Sequence, residues 1–154
     1  MEYKSIETQE DIEIFMAGFN GFHDSCIKEL YYYSGGYVSV DRAMYPFNSV
    51  RSVSIIFQSQ ISEHPAIEMR FELIHQLNLQ PRREDYDCII YDASLVKIGE
   101  LFYWSEWGEF QLEDIGIKKG TWLSAEEIKW RALENSLGES KVYSNVLDEE
   151  PDSG

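Results

Sequence analysis

His23, Asp24 and Ser25 stand side by side in this chain, and they are the residue types of a hydrolase triad. Neighbours in sequence cannot form one among themselves. Consecutive strand side chains point to opposite faces, whereas a base and its nucleophile must come within hydrogen-bond reach. The plainer reading is that Asp24 and Ser25 bond backbone groups where a helix hands over to a strand. A metal site built on His23-Asp24 needs further ligands. His64 and His75 fall on a turn and a strand with no ligand spacing, so no metal is expected.

His75 has a second reading, as part of a pocket in a concave sheet lined with His23 and Asp24. Such a pocket would serve a small-molecule binder or a hydrolase. Against it, a lone imidazole on an apolar face is ordinarily a core group satisfied by its neighbours.

Four acids, Glu106, Glu109, Glu113 and Asp114, alternate with Trp107, Phe110 and Leu112. Paired carboxylates can hydrolyse glycosides when they flank a cleft with separated pKa values, and nothing in this spacing indicates that. The stretch fits a protein contact better. Trp104, Trp107 and Phe110 would be anchors, with Glu106 and Glu109 as an acidic rim. There is no glycine-rich phosphate loop, nucleophile elbow or basic patch, so no cofactor is implied and the reading leans away from an enzyme.

The elements that would carry these residues read as sheet. Residues 66–80 have Ile67, Met69, Phe71, Leu73, Leu77 and Leu79 alternating with Glu68, Arg70, Glu72, Gln76 and Asn78. Period-two alternation is the mark of a strand with one buried face. Two residues break it: His75 falls on the apolar parity and Ile74 on the polar one. Fifteen straight residues would span roughly 50 Å, too long for so small a domain, so a bulge is expected at Ile74-His75.

Before this strand, Thr8 caps a helix whose Ile12, Phe15, Met16 and Phe19 form one face. Residues 26–33 and 37–41 read as strands joined in a hairpin at Ser34-Gly35-Gly36. Residues 50–60 pair with 66–80 through a turn at 61–65. Residues 87–95, with Ile89, Tyr91, Ala93 and Leu95 on one face, and 100–107 are further strands. Residues 121–134 fit either a capped helix or a closing strand.

The expected fold is therefore α+β and β-rich. A helix at the N-terminal end precedes a curved antiparallel meander sheet, or half-barrel, of six to seven strands. One globular domain covers residues 1–137, and 138–154 form an acidic tail expected to be disordered.

Composition narrows the partners. Of 154 residues, 44% are hydrophobic and 14% aromatic, enough for one core. The net charge of −15 disfavours nucleic acid and anionic membranes and favours a basic protein partner. The tail carries −4 of it, leaving −11 on residues 1–138. Cys26 and Cys88 lie in apolar runs and read as buried free thiols. With no apolar leader or membrane span in view, the expected location is cytoplasmic.

Several landmarks together resemble a known group. They are Phe22-His23-Asp24-Ser25-Cys26-Ile27, the Tyr-rich stretch before Ser34-Gly35-Gly36, Tyr103-Trp104-Ser105-Glu106-Trp107-Gly108, Leu112-Glu113-Asp114-Ile115 and Ile128-Lys129-Trp130-Arg131. Across residues 19–134 they resemble small, acidic, uncharacterised bacterial proteins, some thought to be immunity proteins guarding against polymorphic toxins. The resemblance implies a β-rich fold in which 121–133 ends the sheet, and it carries over no catalytic residues. The functional expectation is a non-enzymatic, partner-binding protein, an immunity protein inhibiting a basic toxin being one form of it. A homodimer joined through sheet edges is the third reading.

Overall fold

The structure, a computed structural model, describes residues 2–143. Its chain order is β1 (Lys4–Ile6), α1 (Gln9–Gly18), β2 (Ser25–Tyr33), β3 (Tyr37–Val38), β4 (Met44–Tyr45), β5 (Ser52–Ser59), β6 (Ala66–Asn78), β7 (Ser94–Ile98), β8 (Leu101–Ser105) and β9 (Trp122–Ala132). One antiparallel sheet runs β2-β5-β6-β9-β8-β7, with β1 added on β9, and it does not close. Hairpins join β5 to β6 and β7 to β8. The long return of β9 then brings the two halves together, because β9 pairs with β6 on one edge and with β8 and β1 on the other.

α1 forms where its cap predicts. The Thr8 hydroxyl accepts the Asp11 amide at 3.1 Å, and the Asp11 carboxylate accepts the Glu7 and Thr8 amides at 2.9 and 3.0 Å. Those donors hold the Asp11 carboxyl below its ordinary pKa. Ile12, Phe15 and Phe19 are buried against the sheet, with Met16 beside them. The helix ends in a left-handed run, Asn20, Gly21 and Phe22, at φ +57, +59 and +65°. A phenylalanine there is strained, and packing holds it. The fully buried Phe22 ring lies 4.8–5.9 Å from the rings of Phe15, Phe19, Phe57 and Trp104.

The irregularity in β6 falls where its sequence pattern breaks. Pairing with β9 slips between Ile74 and Gln76, which makes His75 an extra residue. Leu73, one step earlier, is left-handed at φ +55°, and so is Arg51 at +49°. The Ile74 amide donates to Arg51 O at 2.9 Å, so both distortions lie at one level of the sheet. The left-handed residue turns the strand and restarts its alternation. Ile74 therefore joins the core with Ile67, Met69 and Phe71, while His75 faces solvent and meets Glu126 at 3.0 Å. β2 uses the same device. Its register shifts between Ile27 and Glu29, which puts Ile27 and Leu30 on the core face and releases Glu29 to the other.

Two local expectations are corrected. Residues 26–33 and 37–41 do not form a hairpin. β2 pairs with β5 instead, and β3 pairs with β4 as a separate two-stranded excursion. Residues 87–95 are not one strand. Ile90 makes a lone bridge to Ser25, and β7 begins only at Ser94. Within 87–95, Ile90, Ala93 and Leu95 are buried, whereas Ile89 and Tyr91 are exposed. The ambiguous stretch 121–134 is a strand, β9.

The first residues of the acidic tail lie against the sheet. Val142 packs on Ile56, the Glu29 carboxylate accepts the Val142 and Tyr143 amides, and Gln58 and Lys28 donate to Gly138 O. The remainder of the tail, 144–154, is outside the described residues.

The restarted alternation separates two neighbouring residues energetically. Ile74→Ala removes core packing and is expected to cost about 2–4 kcal/mol. His75→Ala is expected to cost under about 1 kcal/mol, since an exposed ion pair is worth little. Urea denaturation of the two variants measures the difference.

Candidate functional site

The two groups of site residues expected from sequence are not assembled. His23 and Asp24 precede β2, level with the β5–β6 turn, whereas His75 lies near the far end of β6. About ten strand residues separate those levels, roughly 30 Å along the sheet, so they line no common pocket. His23 is half exposed, and its Nδ1–H donates to Tyr91 O at 2.7 Å. That bond, then the Asp24 carboxylate 3.5 Å away, raises the imidazole pKa. Ser25 donates its hydroxyl to Phe22 O at 2.6 Å, a bond that ties the handover from helix to strand.

The Trp104 to Phe110 patch also comes apart. Trp104 is 0% exposed, between the rings of Phe22 and Phe57. Phe110 is buried and stacks on Tyr103 at 5.2 Å. Trp107 is half-buried and donates its indole N–H to Asp114 at 3.1 Å. Glu106 pairs with Arg82 at 3.3 Å and lies against Gly120, which at φ +140° has no room for a side chain. Of the five, only Glu109 is exposed. The alternation of acid and aromatic is real, but it turns the aromatics inward to staple a loop onto the end of the sheet.

Most of the exposed aromatics lie elsewhere, between residues 31 and 50, with Tyr86 and Tyr91 apart from them. Tyr31, Tyr32 and Tyr33 end β2, Tyr37 and Tyr45 face each other across β3–β4, and Phe47 follows at 72% exposed. The Tyr37 and Tyr45 rings stack at 4.8 Å and 11°. Val38, Val40, Met44 and Val50 extend the apolar surface. Successive side chains of β2 alternate faces, so Tyr31 and Tyr33 share one side of this edge and Tyr32 takes the other.

Local sequence explains how this surface is held. Ser34 O accepts the Val50 and Arg51 amides at 3.0 and 3.1 Å, which closes the base of the excursion. Gly35, at φ +94°, packs so closely on Ser49 and Val50 that a Cβ would meet them at 2.8–2.9 Å. At the tip, Ser39 and Ala43 hold the Asp41 carboxylate, and the bond from the Ser39 hydroxyl comes first in keeping its pKa low.

Two further features define the site. Asp41 and Arg42 are the sole charged residues in 31–50, so the surface is neutral within a strongly acidic chain. β2 is also the last strand of the sheet. Among the described residues its outer edge has one bridge, Ser25 to Ile90, which leaves backbone groups beyond it open to a partner strand. The tyrosine triplet was visible in the sequence, but its exposure depended on β2 pairing with β5 rather than folding back on 37–41.

The fold also holds a cleft and a buried polar cluster. A cleft of about 290 Å³ lies between α1, β1 and the β5–β6 turn. Trp130 forms its floor, with Lys4 Nζ 5.3 Å from the ring centroid and His64 at 5.9 Å. The face of the sheet opposite α1 carries the other, a polar cluster around Glu68, which is 1% exposed. Arg131 Nε and the Tyr3 hydroxyl both donate to its Oε1 at 2.8 Å. Arg70, Lys129 and Arg131 surround the Tyr3 ring at 4.6–5.3 Å. Burial first, then the Glu68 charge, pushes the Tyr3 phenol pKa well up, so it stays a donor. This cluster ties the N-terminal segment to the sheet.

Among the described residues, no group of three or more His, Cys, Asp and Glu is placed to hold a metal ion, and no helix is long and apolar enough to cross a membrane. Comparison with protein families, curated proteins and solved structures finds no match to this chain.

The Glu68 cluster makes a quantitative prediction. Arg131→Ala strands a buried carboxylate and is expected to cost about 3–5 kcal/mol. Tyr3→Phe removes one hydrogen bond to a charged group and is expected to cost about 1.5–3 kcal/mol. Chemical denaturation near neutral pH tests both.

Proposed function

We propose that this chain is a non-enzymatic binding protein that recognises a basic protein through the aromatic edge formed by β2 and the β3–β4 hairpin. Within that class, the reading we favour is an immunity protein that occludes a toxin. The observation that carries the proposal is the run of exposed aromatics from Tyr31 to Phe47 on a neutral surface beside an open strand edge. Tyrosine gives large contact area at low conformational cost, and its hydroxyl is satisfied wet or dry, which suits a surface that is alternately solvated and covered. The −15 charge of the chain draws a cationic partner in, and the neutral patch, whose one carboxylate is Asp41, keeps the cost of desolvating carboxylates on docking small.

Division of labour follows from this arrangement. Long-range attraction sets the association rate and weakens with salt, while the aromatics set the lifetime of the complex. The small-molecule alternative loses its basis, because His23 and Asp24 lie far along the sheet from His75.

The test uses tagged chain as bait in lysate of the native organism, followed by titration of the captured protein. Tyr33→Ala, Tyr37→Ala and Phe47→Ala combined should weaken binding at least about 100-fold. Raising the salt should slow association, and Trp107→Ala should bind as wild type. Unchanged affinity in the triple variant, with its fold intact by circular dichroism, would contradict the assignment of the surface.

A further inference from the structure

Cys26 and Cys88 are 62 positions apart, and the fold brings them together. Cys26 is the second residue of β2, and Cys88 lies in the connection from β6 to β7. The connection is pinned beside β2 by two backbone bonds. The Asp24 amide donates to Ile90 O at 3.0 Å, and the Ile90 amide donates to Ser25 O at 2.8 Å. The two cysteines line one open cavity of about 400 Å³ with Gln58, Ser59, Ile89 and Leu137. The expectation of two buried thiols is thereby corrected: Cys26 is half-buried and Cys88 is exposed.

We propose that Cys26 and Cys88 form a redox-modification site that closes reversibly into an intramolecular disulfide when the chain meets a peroxide. The exposed Cys88 reacts first. Its thiolate sulfur attacks one peroxide oxygen, the O–O bond breaks, and Cys88 becomes a sulfenic acid as hydroxide leaves. The Cys26 sulfur then attacks the sulfenic sulfur, the S–S bond forms and the S–O bond breaks. The departing hydroxyl takes up the proton released from Cys26 and leaves as water. In sum, two thiols lose two protons and two electrons, and the peroxide is reduced to two waters.

The roles follow from placement. Burial, and then the neighbouring Cys88 thiol, raises the Cys26 pKa, so Cys26 stays a protonated resolving thiol until a partner sulfur is oxidised beside it. The lone strand bridge holds the two segments side by side, and both cysteines line the same open cavity. The covalent ring would enclose β3 to β6 and with them the whole aromatic edge. The site does not depend on the partner-binding reading.

The test treats folded, reduced chain with stoichiometric hydrogen peroxide and reads the intact mass. The expected result is a loss of about 2 Da, reversed by dithiothreitol and absent in both Cys26→Ser and Cys88→Ser. Constraining so long a loop should also raise the thermal midpoint of the oxidised form by roughly 10 °C. A mass gain of about 16 or 32 Da on Cys88 with Cys26 still open to alkylation would overturn the proposal. So would disulfide-linked dimers in place of the internal bridge, or no reaction.

Discussion

A strand as long as β6 cannot be straight in a domain of this size, and the way it bends determines much of the rest. β6 pairs with β9 from Ile67 opposite Ala132 to Asn78 opposite Trp122, and the ladder is broken once, around Leu73 to His75. Above the break, β9 passes its free edge to β1, and below it to β8. The crease thus divides the sheet into two halves that share the same two strands. Phe22, at the turn after α1, packs against Phe57 of one half and Trp104 of the other, so helix docking and crease support each other.

The two faces solve different problems. The face under α1 is apolar, and one core cluster runs from Ile6 through Phe57 and Met69 to Leu123. The opposite face has Glu68 and Arg131 paired across β6 and β9, covered by Tyr3 and extended by Ile56 and Val142. A buried ion pair adds little net stability, but it penalises every register that would leave one charge alone. A one-residue slip of β9 on β6 would separate Glu68 from Arg131 and invert the apolar alternation, and both errors are costly.

How much of this was legible depended on whether the signal was local. The Thr8 cap, the alternation of 66–80 and the β5–β6 hairpin are local patterns, and each predicts its element. The pairing of Ile74 and His75 against parity was legible as a fault, and the structure supplies its cause in left-handed Leu73. Non-local choices were not legible. Ser34-Gly35-Gly36 has hairpin residues, yet Ser34 O is taken by Val50 and Arg51, and β2 pairs with a strand that starts nearly twenty residues later. The same blindness put the contact patch at Trp104 to Phe110. Alternating acid and aromatic says that two faces differ, but only the packing of Trp104 on Phe22 and Phe57 says which is hidden.

The functional reading rests on this division between a rigid centre and an open edge. β6 and β9 are flanked by strands along most of their length, whereas β2, β3 and β4 form the margin where most of the exposed aromatics collect. Stability should therefore be graded across the sheet, with the proposed recognition surface at the low end, as binding surfaces generally are. Native-state amide hydrogen exchange on the free chain measures that gradient directly. The account predicts that amides in residues 67–72 of β6 and 128–132 of β9 exchange only through global unfolding, while those of the β3–β4 excursion exchange orders of magnitude faster through local opening. Protection of residues 37–45 equal to that of the β6–β9 ladder would contradict it.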